Sequence, residues 1–318
     1  MKATIYTTLA LIAFAANSLL CRMALADGDI DAWSFTIIRL LSAAGCLALI
    51  MMLHASHLQR QVRKLNLTSN DTLLVLSDKG SWFSSFSLVI YALCFSIAYV
   101  ELDTGTGALI LFSAVQLTMI GWGIYKKEQL SVLQWAAFIV AVAGFIYLML
   151  PSAAIPSPLA AILMMISGIA WGIYSIRGKT CASPLRATGF NFIRSLVAVP
   201  ILLWASTYYL NDIGLATVNP NDILNNALNR VTAQGILLAG ASGAIASGIG
   251  YSIWYTAMPL LKNTQAAIVQ LCVPILAAIL GVVFLSEPLS LPFVVASTVI
   301  LGAVLTFTLS KKTSTISS

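Results

Sequence analysis

Two arginines lie inside apolar segments, where a charged side chain needs water, a partner or the bundle interior. Arg39 lies about 10 Å into its segment at 1.5 Å per residue, and Arg194 is expected at a similar depth from the opposite side. Both are predicted to border a path for a ligand, attracting a carboxylate or phosphate or forming parts of two gates. The alternative is that each arginine ties helices together by donating to the carbonyls of unwound turns.

Buried amides and aromatic side chains are the other candidates. Amides inside apolar segments should be hydrogen-bonded across helices or to a ligand. Aromatic residues away from the segment ends would line a cavity as a set, although any one of them can simply pack. Together with the arginines, they give the predicted substrate-binding residues: Asn17, Arg39, Tyr91, Gln116, Tyr174, Arg194, Tyr251, Trp254 and Gln270.

Several kinds of chemistry are disfavoured by the same survey. No Asp or Glu lies in the middle of an apolar segment, and the five cysteines are scattered without histidines at ligand spacing. We therefore expect no catalytic residues, no metal and no cofactor. Gly178-Lys179-Thr180 resembles the end of a phosphate-binding loop, but Ile173 stands where that motif needs glycine. An ATP-driven motor is thus not expected.

The elements that hold these residues must be membrane spans. Apolar residues make up 59% of the chain, charged residues only 9%, and mean hydropathy is +0.92. A soluble domain has about 25% charged residues. We predict an all-α polytopic membrane protein of ten transmembrane helices in two inverted five-helix repeats. The predicted spans are 4–25, 32–53, 81–100, 104–125, 131–150, 158–177, 187–208, 233–257, 263–285 and 290–309.

Positive charge predicts the orientation of the spans. With the N-terminus in the cytoplasm, every Lys and Arg outside the spans except Arg230 lies on the cytoplasmic side. We therefore expect a multi-pass protein of the bacterial inner membrane with both termini cytoplasmic. The net charge of +6 follows from this topology and gives no reason to expect a nucleic-acid partner.

An internal repeat supports the same topology. Residues 91–150 match residues 250–309 at an offset of 159, as in the pair Glu128 and Glu287. An odd number of spans per unit inverts the second copy, and an inverted repeat is typical of alternating-access transporters. The predicted units are 1–150 and 156–310, followed by a cytoplasmic tail at 311–318.

Residues near the span ends and in the eighth span receive structural interpretations. Glu128 and Glu287 are expected to stabilise the starts of the fifth and tenth helices through the helix dipole. Arg22 is expected to snorkel near the end of the first span.

Small residues in the eighth span, including Gly243 and Ser247, indicate either a homodimer face or close packing within the chain. Pro200 and Pro274 would loosen their helices.

These paired modules resemble the EamA repeat family of the drug/metabolite transporter superfamily. The residues that support the resemblance are Ala13-Phe14 and Ala170-Trp171-Gly172, Arg39 and Arg194, Phe95–Tyr99 and Trp254–Met258, and Glu128-Gln129-Leu130-Ser131 and Glu287-Pro288-Leu289-Ser290. The family implies ten helices around a central cavity and substrates ranging from amino acids to drugs. A proline that the family often has in the fourth helix is present as Pro274 in the second unit, but Val115 replaces it in the first.

The combined hypothesis is a secondary transporter that moves a small metabolite, amino-acid-like compound or drug by alternating access, with export favoured on the resemblance. A channel or lipid-handling protein with the same spans is the alternative, and an enzyme is not expected. The expected partners are a small-molecule substrate, the lipid bilayer, and a coupling proton or counter-substrate. The sequence leaves open whether the protein forms a homodimer.

Overall fold

The computed structural model describes residues 2–65, 78–125, 127, 130–149, 157–178, 181–212, 231–261, 269–270 and 272–310. These residues contain helices and connecting turns and no strand. The helices are α1 Lys2–Ala26, α2 Ala32–Leu65, α3 Trp82–Ala98, α4 Thr104–Tyr125, α5 Val132–Met149, α6 Pro158–Gly178, α7 Pro184–Ser195 with its continuations Leu196–Ala198 and Val199–Asp212, α8 Ala233–Ala241 with its continuations Ser242–Ile249 and Gly250–Ala257, α9 Cys272–Leu285 and α10 Leu291–Leu309.

The apolar segments form helices because every backbone polar group in lipid must be paired within its own segment. Six of the described helices are long and apolar enough to cross a membrane, and four are shorter apolar helices. The predicted all-α polytopic membrane protein with ten helices is confirmed. The structure describes only residues 269–270 and 272–285 of the predicted ninth span, and Glu128 and the tail 311–318 lie outside the described residues.

The two halves of the chain, residues 2–149 and 157–310, make equivalent helix contacts: the most extensive contacts still have counterparts when α1–α5 are replaced by α6–α10 and the reverse. α3 packs on α6 as α8 packs on α1, and α4 packs on α6 as α9 packs on α1. The contacts of α5 with α10, α4 with α9 and α2 with α7 map onto themselves. Two units of opposite orientation would give this pattern, and the boundaries 1–150 and 156–310 stay a prediction.

The connecting turns define two faces of the bundle. On the acidic face, which includes Asp29, Asp103 and Glu287, the Asp29 carbonyl accepts a hydrogen bond of 2.9 Å from the amide of Thr232. On the basic face, which includes Lys79 and Arg177, the Asp78 carboxylate accepts one of 2.9 Å from the amide of Ser183. Each of these hydrogen bonds joins the first half to the second, so the two halves contact each other at both faces.

Two helices are irregular in the second half. α7 tightens to a 3₁₀ turn at Leu196–Ala198, and Pro200, two residues further on, lacks the N–H that would continue the helical bonding. α8 contains a π-helical stretch, Ser242–Ile249. Such stretches occur often at functional sites because they re-aim the following side chains. Pro274 lies in α9 close to residue 271, which is outside the described residues, so its expected loosening of the helix stays a prediction.

The small residues of α8 pack against α2. A Cβ on Gly243 would collide with the carbonyl of Arg39 and the hydroxyl of Ser42, whereas a Cβ on Gly240 would meet open space. The Gly243 position therefore sets how closely α8 approaches the backbone that holds Arg39. Of the two expected interpretations of these small residues, close packing within the chain applies to this position.

Gly243→Ala is expected to lower the melting temperature of the purified protein. The added methyl group meets backbone that cannot move freely, and overpacking of this kind costs about 1–3 kcal/mol. Thermal unfolding in detergent, followed by size-exclusion chromatography of the surviving protein, measures the effect.

Gly240→Ala is the matched control, because it makes the same chemical change on the same helix without a collision. Its melting temperature should equal or slightly exceed that of the parent, since alanine favours the helix. Equal losses in the two variants would contradict the packing described here.

Candidate functional site at the centre of the bundle

Arg39 of α2 lies at the centre of the bundle and is 1% exposed. Its Nη2 donates to the hydroxyls of Tyr91 and Tyr251, both at 2.9 Å. Its Nε donates to the hydroxyl of Ser247 at 3.0 Å. The two tyrosine hydroxyls are themselves 2.7 Å apart. One guanidinium thus binds side chains from α3 of the first half and α8 of the second.

Asn17 of α1 extends this network. Its Nδ2 donates to the Tyr91 hydroxyl at 3.2 Å, and its Oδ1 accepts from the Ser242 hydroxyl at 2.7 Å. Ser242 and Ser247 both lie on the π-helical stretch of α8. The six hydrogen-bonded residues are called the arginine cluster below: Asn17, Arg39, Tyr91, Ser242, Ser247 and Tyr251.

The positive charge of the cluster has no negative partner among the described residues. The ion pairs found there involve Arg22 and not Arg39. The three side chains that accept from Arg39 are neutral hydroxyls, and its Nη1 is buried without a hydrogen-bond partner. A buried cation without an anion is costly. The arrangement can therefore accept an anionic group.

Aromatic rings surround the cluster. The guanidinium carbon lies 4.9 Å from the centre of the Phe95 ring and 5.1 Å from that of Tyr91, in the geometry of cation–π contacts. Trp171 of α6 packs on Tyr251 with ring centres 4.5 Å apart, and Phe14 packs edge-on against Trp171 at 5.7 Å. The charge is thus partly stabilised by ring faces, which are weaker partners than a carboxylate.

The space beside the cluster is nearly closed. A cavity of about 10 Å³ is lined by Phe14, Asn17, Ser18, Tyr91, Phe95, Leu111, Phe112, Trp171 and Tyr251. That volume holds about one water molecule. A larger ligand enters only if rings or helices move apart.

A stack of rings leads from the cluster to the basic face. Trp171 stacks on Tyr174, and Tyr174 stacks on Tyr255, each with ring centres 5.4 Å apart. Tyr255 also borders a cavity of about 330 Å³ on the basic face, whose wall includes Ser84, Asn191 and Cys181. Burial raises the pKa of the Cys181 thiol to about 11. This cavity is large enough for a small metabolite, and aromatic rings separate it from the arginine cluster.

On the acidic face, Arg22 closes the bundle. Its Nη1 donates to the carbonyls of Tyr99 at 3.0 Å and Val100 at 2.7 Å. Its Nε donates to the Glu287 carboxylate at 3.3 Å. Glu287 in turn accepts from the Thr104 amide at 2.8 Å and from the Thr104 hydroxyl at 3.1 Å. The acidic-face latch, Arg22, Thr104 and Glu287, connects α1 and α4 of the first half with the second half.

This arrangement corrects the prediction for Glu287 and adds partners to the prediction for Arg22. Glu287 was expected to stabilise the start of its own following helix, but the Ser290 side chain caps that helix and Glu287 caps α4. Arg22 was expected to snorkel near the end of the first span, and there it pairs with Glu287 and, at 3.8 Å, with Asp103. The sequence does not reveal either contact because the partners are far apart along the chain.

Burial raises the pKa of the Glu287 carboxyl, although hydrogen bonds from Thr104 and the charge of Arg22 oppose the shift. Burial likewise raises the pKa of Asp103, again opposed by Arg22. Each of these two carboxyls therefore holds a proton more tightly than it would in water.

The structure brings four of the predicted substrate-binding residues into the arginine cluster: Asn17, Arg39, Tyr91 and Tyr251. Two more extend the surrounding ring packing, Trp254 against Phe14 at 5.6 Å and Tyr174 in the stack towards the basic face. Gln116 and Gln270 are both 1% exposed but do not line the central cavity. From the sequence alone, Ser247 was interpreted only as a small packing residue, and Ser242 was not singled out.

Arg194 is not at the depth predicted for it. Its guanidinium reaches back along α7 to the basic face, where Nη1 donates to the Lys79 carbonyl and the guanidinium carbon lies 5.4 Å from the Trp82 ring centre. Helical side chains point towards the N-terminus of their helix, and arginine is long enough to place its charge at the interface. Arg39 and Arg194 therefore occupy different environments.

Comparisons with known proteins agree with this architecture. A model of the EamA-like transporter family matches residues 158–309. The uncharacterized protein PA1977 of Pseudomonas aeruginosa is 39% identical over 303 residues, covering 95% of this chain and 93% of that protein. An uncharacterized transporter of Archaeoglobus fulgidus is 25% identical over 218 residues, covering 68% of this chain and 72% of that protein. A solved crystal structure with 16% identity has the same fold, with a TM-score of 0.53 over 94% of this chain and 95% of that one.

Arg22→Gln is expected to open the acidic face and expose Cys21, which is fully buried beside the latch. Hydrogen bonds to a charged group contribute about 1.5–3 kcal/mol each, so losing one raises labelling of Cys21 by roughly tenfold or more. A membrane-impermeant thiol reagent measures the rate in a variant that keeps only this cysteine, with Cys46, Cys94, Cys181 and Cys272 replaced by alanine.

Arg177→Gln in the same background is the control, because it removes an arginine from the basic face. It should leave the labelling rate of Cys21 unchanged. A rate in Arg22→Gln equal to that of the parent would show that the latch does not hold the acidic face closed.

Proposed function

Because this chain belongs to the EamA-like transporter family, we propose that it is a secondary transporter in which the arginine cluster is the substrate site. The transported molecule is a small metabolite, an amino-acid-like compound or a drug. Transport proceeds by alternating access, with the two halves rocking about the cluster. The observation that supports this most strongly is a buried, charged network built from both halves at the centre of the bundle. Ionisable groups at that depth are rarely structural alone.

The unequal faces support the mechanism. The latch seals the acidic face, while the basic face has a cavity of about 330 Å³ that reaches Tyr255. A carrier needs one side closed while the other admits substrate. Substrate entering from the basic face would part the stacked rings of Tyr174 and Tyr255 to reach Arg39. Opening the acidic face would then require release of Arg22 from Glu287.

We place the protein in a bacterial inner membrane with the basic face towards the cytoplasm. This orientation follows from the excess of Lys and Arg in the loops on that side. The cavity of the basic face would then receive substrate from the cytoplasm, and export is the favoured direction. Energy would come from exchange, a proton gradient or the substrate's own gradient. Glu287 and Asp103 are candidates for binding a coupling proton, because burial raises the pKa of both carboxyls.

Release from proteoliposomes tests the proposal without a known substrate. Vesicles containing the purified protein are loaded with a bacterial metabolite extract, and the compounds released are identified by mass spectrometry. We expect at least one compound whose release saturates with its internal concentration and accelerates when the same compound is added outside. Arg39→Lys should slow this release by at least about tenfold, because the altered side chain loses the paired donors to Tyr91 and Tyr251.

Arg194→Lys is the matched control. It makes the same substitution at an arginine on the basic face and should release the compound at the parental rate. Release that neither saturates nor responds to external compound would indicate a channel, and the absence of protein-dependent release of any compound would reject transport. An equal loss of release rate in Arg39→Lys and Arg194→Lys would mean that the arginine cluster is not the substrate site.

A further inference from the structure

We propose that the substrate is a monocarboxylate with a flat apolar body and without an ammonium group, and that Arg39 binds its carboxylate. This inference rests on the proposed function, because it assumes that the arginine cluster is the place where substrate binds. It narrows the substrate from small metabolites in general to one chemical class. The argument depends on the charges, the hydrogen-bond donors and the ring surfaces at the centre of the bundle.

The charge at the centre is one positive unit. Arg39 is the charged member of the cluster, and its described neighbours are neutral hydroxyls, an amide and aromatic rings. A carboxylate would neutralise this charge with geometry that suits a guanidinium, since two parallel N–H donors can meet its two oxygens. A phosphate monoester with two negative charges would leave one of them uncompensated in an apolar surrounding.

Hydrogen-bond donors are in excess around the same point. Nη1 of Arg39 and the indole N–H of Trp171, whose ring lines the central cavity, are both buried without partners. Trp171 packs directly on Tyr91 with ring centres 5.0 Å apart. Burying a donor without an acceptor is costly, so a surplus of donors favours a ligand that brings acceptors alone. A deprotonated carboxylate brings two acceptor oxygens and no donor.

An ammonium group has no counterpart at the cluster. The described acidic residues lie on the two faces of the bundle, as Asp78 and Glu287 illustrate, and none forms an ion pair with Arg39. The amide oxygen of Asn17 already accepts from Ser242. A zwitterionic amino acid would therefore bury its positive charge next to Arg39. The carboxylic acid that lacks this group should bind better than the amino acid itself.

The apolar body of the substrate would lie against the aromatic rings of the central cavity. Phe14, Phe95 and Trp171 all line the central cavity, and Phe14 also contacts Trp254 edge-on at 5.6 Å. Flat rings gain from stacked and edge-on contacts with such surfaces. The cavity of about 10 Å³ is too small for this body in the closed arrangement. Binding must therefore move rings apart, and the carboxylate would take over Arg39 donors that now bind the two tyrosine hydroxyls.

A series of ligands with one body and different head groups tests the proposal. The compounds are 3-phenylpropionate, 3-phenylpropionamide, 3-phenylpropylamine, 3-phenylpropyl phosphate and L-phenylalanine. Thermal stabilisation of the purified wild-type protein in lipid nanodiscs gives the affinity for each, because a ligand that binds only the folded state raises its stability. We expect 3-phenylpropionate to bind at least about tenfold more tightly than each of the others. Indole-3-propionate and hexanoate, each compared with its own amide, test whether the preference for a carboxylate holds with other apolar bodies.

Arg39→Gln should abolish the preference for the carboxylate over its amide while leaving amide binding nearly unchanged. If this variant does not fold, Arg39→Lys, which keeps the charge, should retain the preference at lower affinity. Arg194→Gln should bind as the parent does.

A wild-type protein that binds the amide, the amine, the phosphate or the amino acid as tightly as the acid would overturn the proposal. So would failure of all three carboxylates to stabilise the protein at their highest soluble concentrations. Saturable exchange of a neutral or cationic compound from proteoliposomes would leave the carrier function in place and reject the carboxylate. The absence of any exchange would reject the carrier function itself.

Discussion

The buried charge of Arg39 is the constraint on which the centre of this bundle depends. A guanidinium within a lipid-embedded bundle must be surrounded by acceptors, rings or a ligand, and no single helix can supply them all. Here the acceptors come from α3 of the first half and α8 of the second. The π-helical stretch of α8 contains Ser247, and Gly243 lets that stretch approach the backbone of α2. The irregular backbone, the small residue and the charge thus form one structural unit.

The two halves meet through polar contacts at the centre of the bundle and at both of its faces. The arginine cluster joins them at the centre, and Arg22 with Glu287 and Thr104 joins them at the acidic face. At the basic face, a cavity of about 330 Å³ separates the helices, although Asp78 still binds Ser183. Directional contacts of this kind are made or lost as a set, because hydrogen bonds weaken steeply outside a narrow geometry. Rocking of the halves would exchange one set for another, which is what alternating access requires.

Much of this architecture could be predicted from the sequence, because lipid leaves few choices. Apolar length identified the spans, and the rule that polar groups in lipid need partners identified Asn17 and Arg39. Tyr91 and Tyr251 were among the aromatic residues expected to line a cavity. The partners themselves were not predictable, since hydrogen bonds between α2 and α8 leave no local pattern. Arg194 was misplaced because the position of a Cα does not fix the position of a long charged side chain. Glu287 was assigned to the nearest helix along the chain, whereas it caps a helix of the other half.

A double-mutant cycle of Tyr91→Phe and Tyr251→Phe tests the central claim most directly. These hydroxyls come from different halves, lie 2.7 Å apart and share the Nη2 of Arg39. Residues in one hydrogen-bond network show coupling energies of about 0.5–3 kcal/mol, whereas independent residues add within about 0.3–0.5 kcal/mol. We predict that the free energies of unfolding of the single and double variants, measured reversibly in mixed micelles, give a coupling energy above about 0.5 kcal/mol. Strict additivity of the two substitutions would contradict the account, because it would mean that Arg39 does not bind the two halves together.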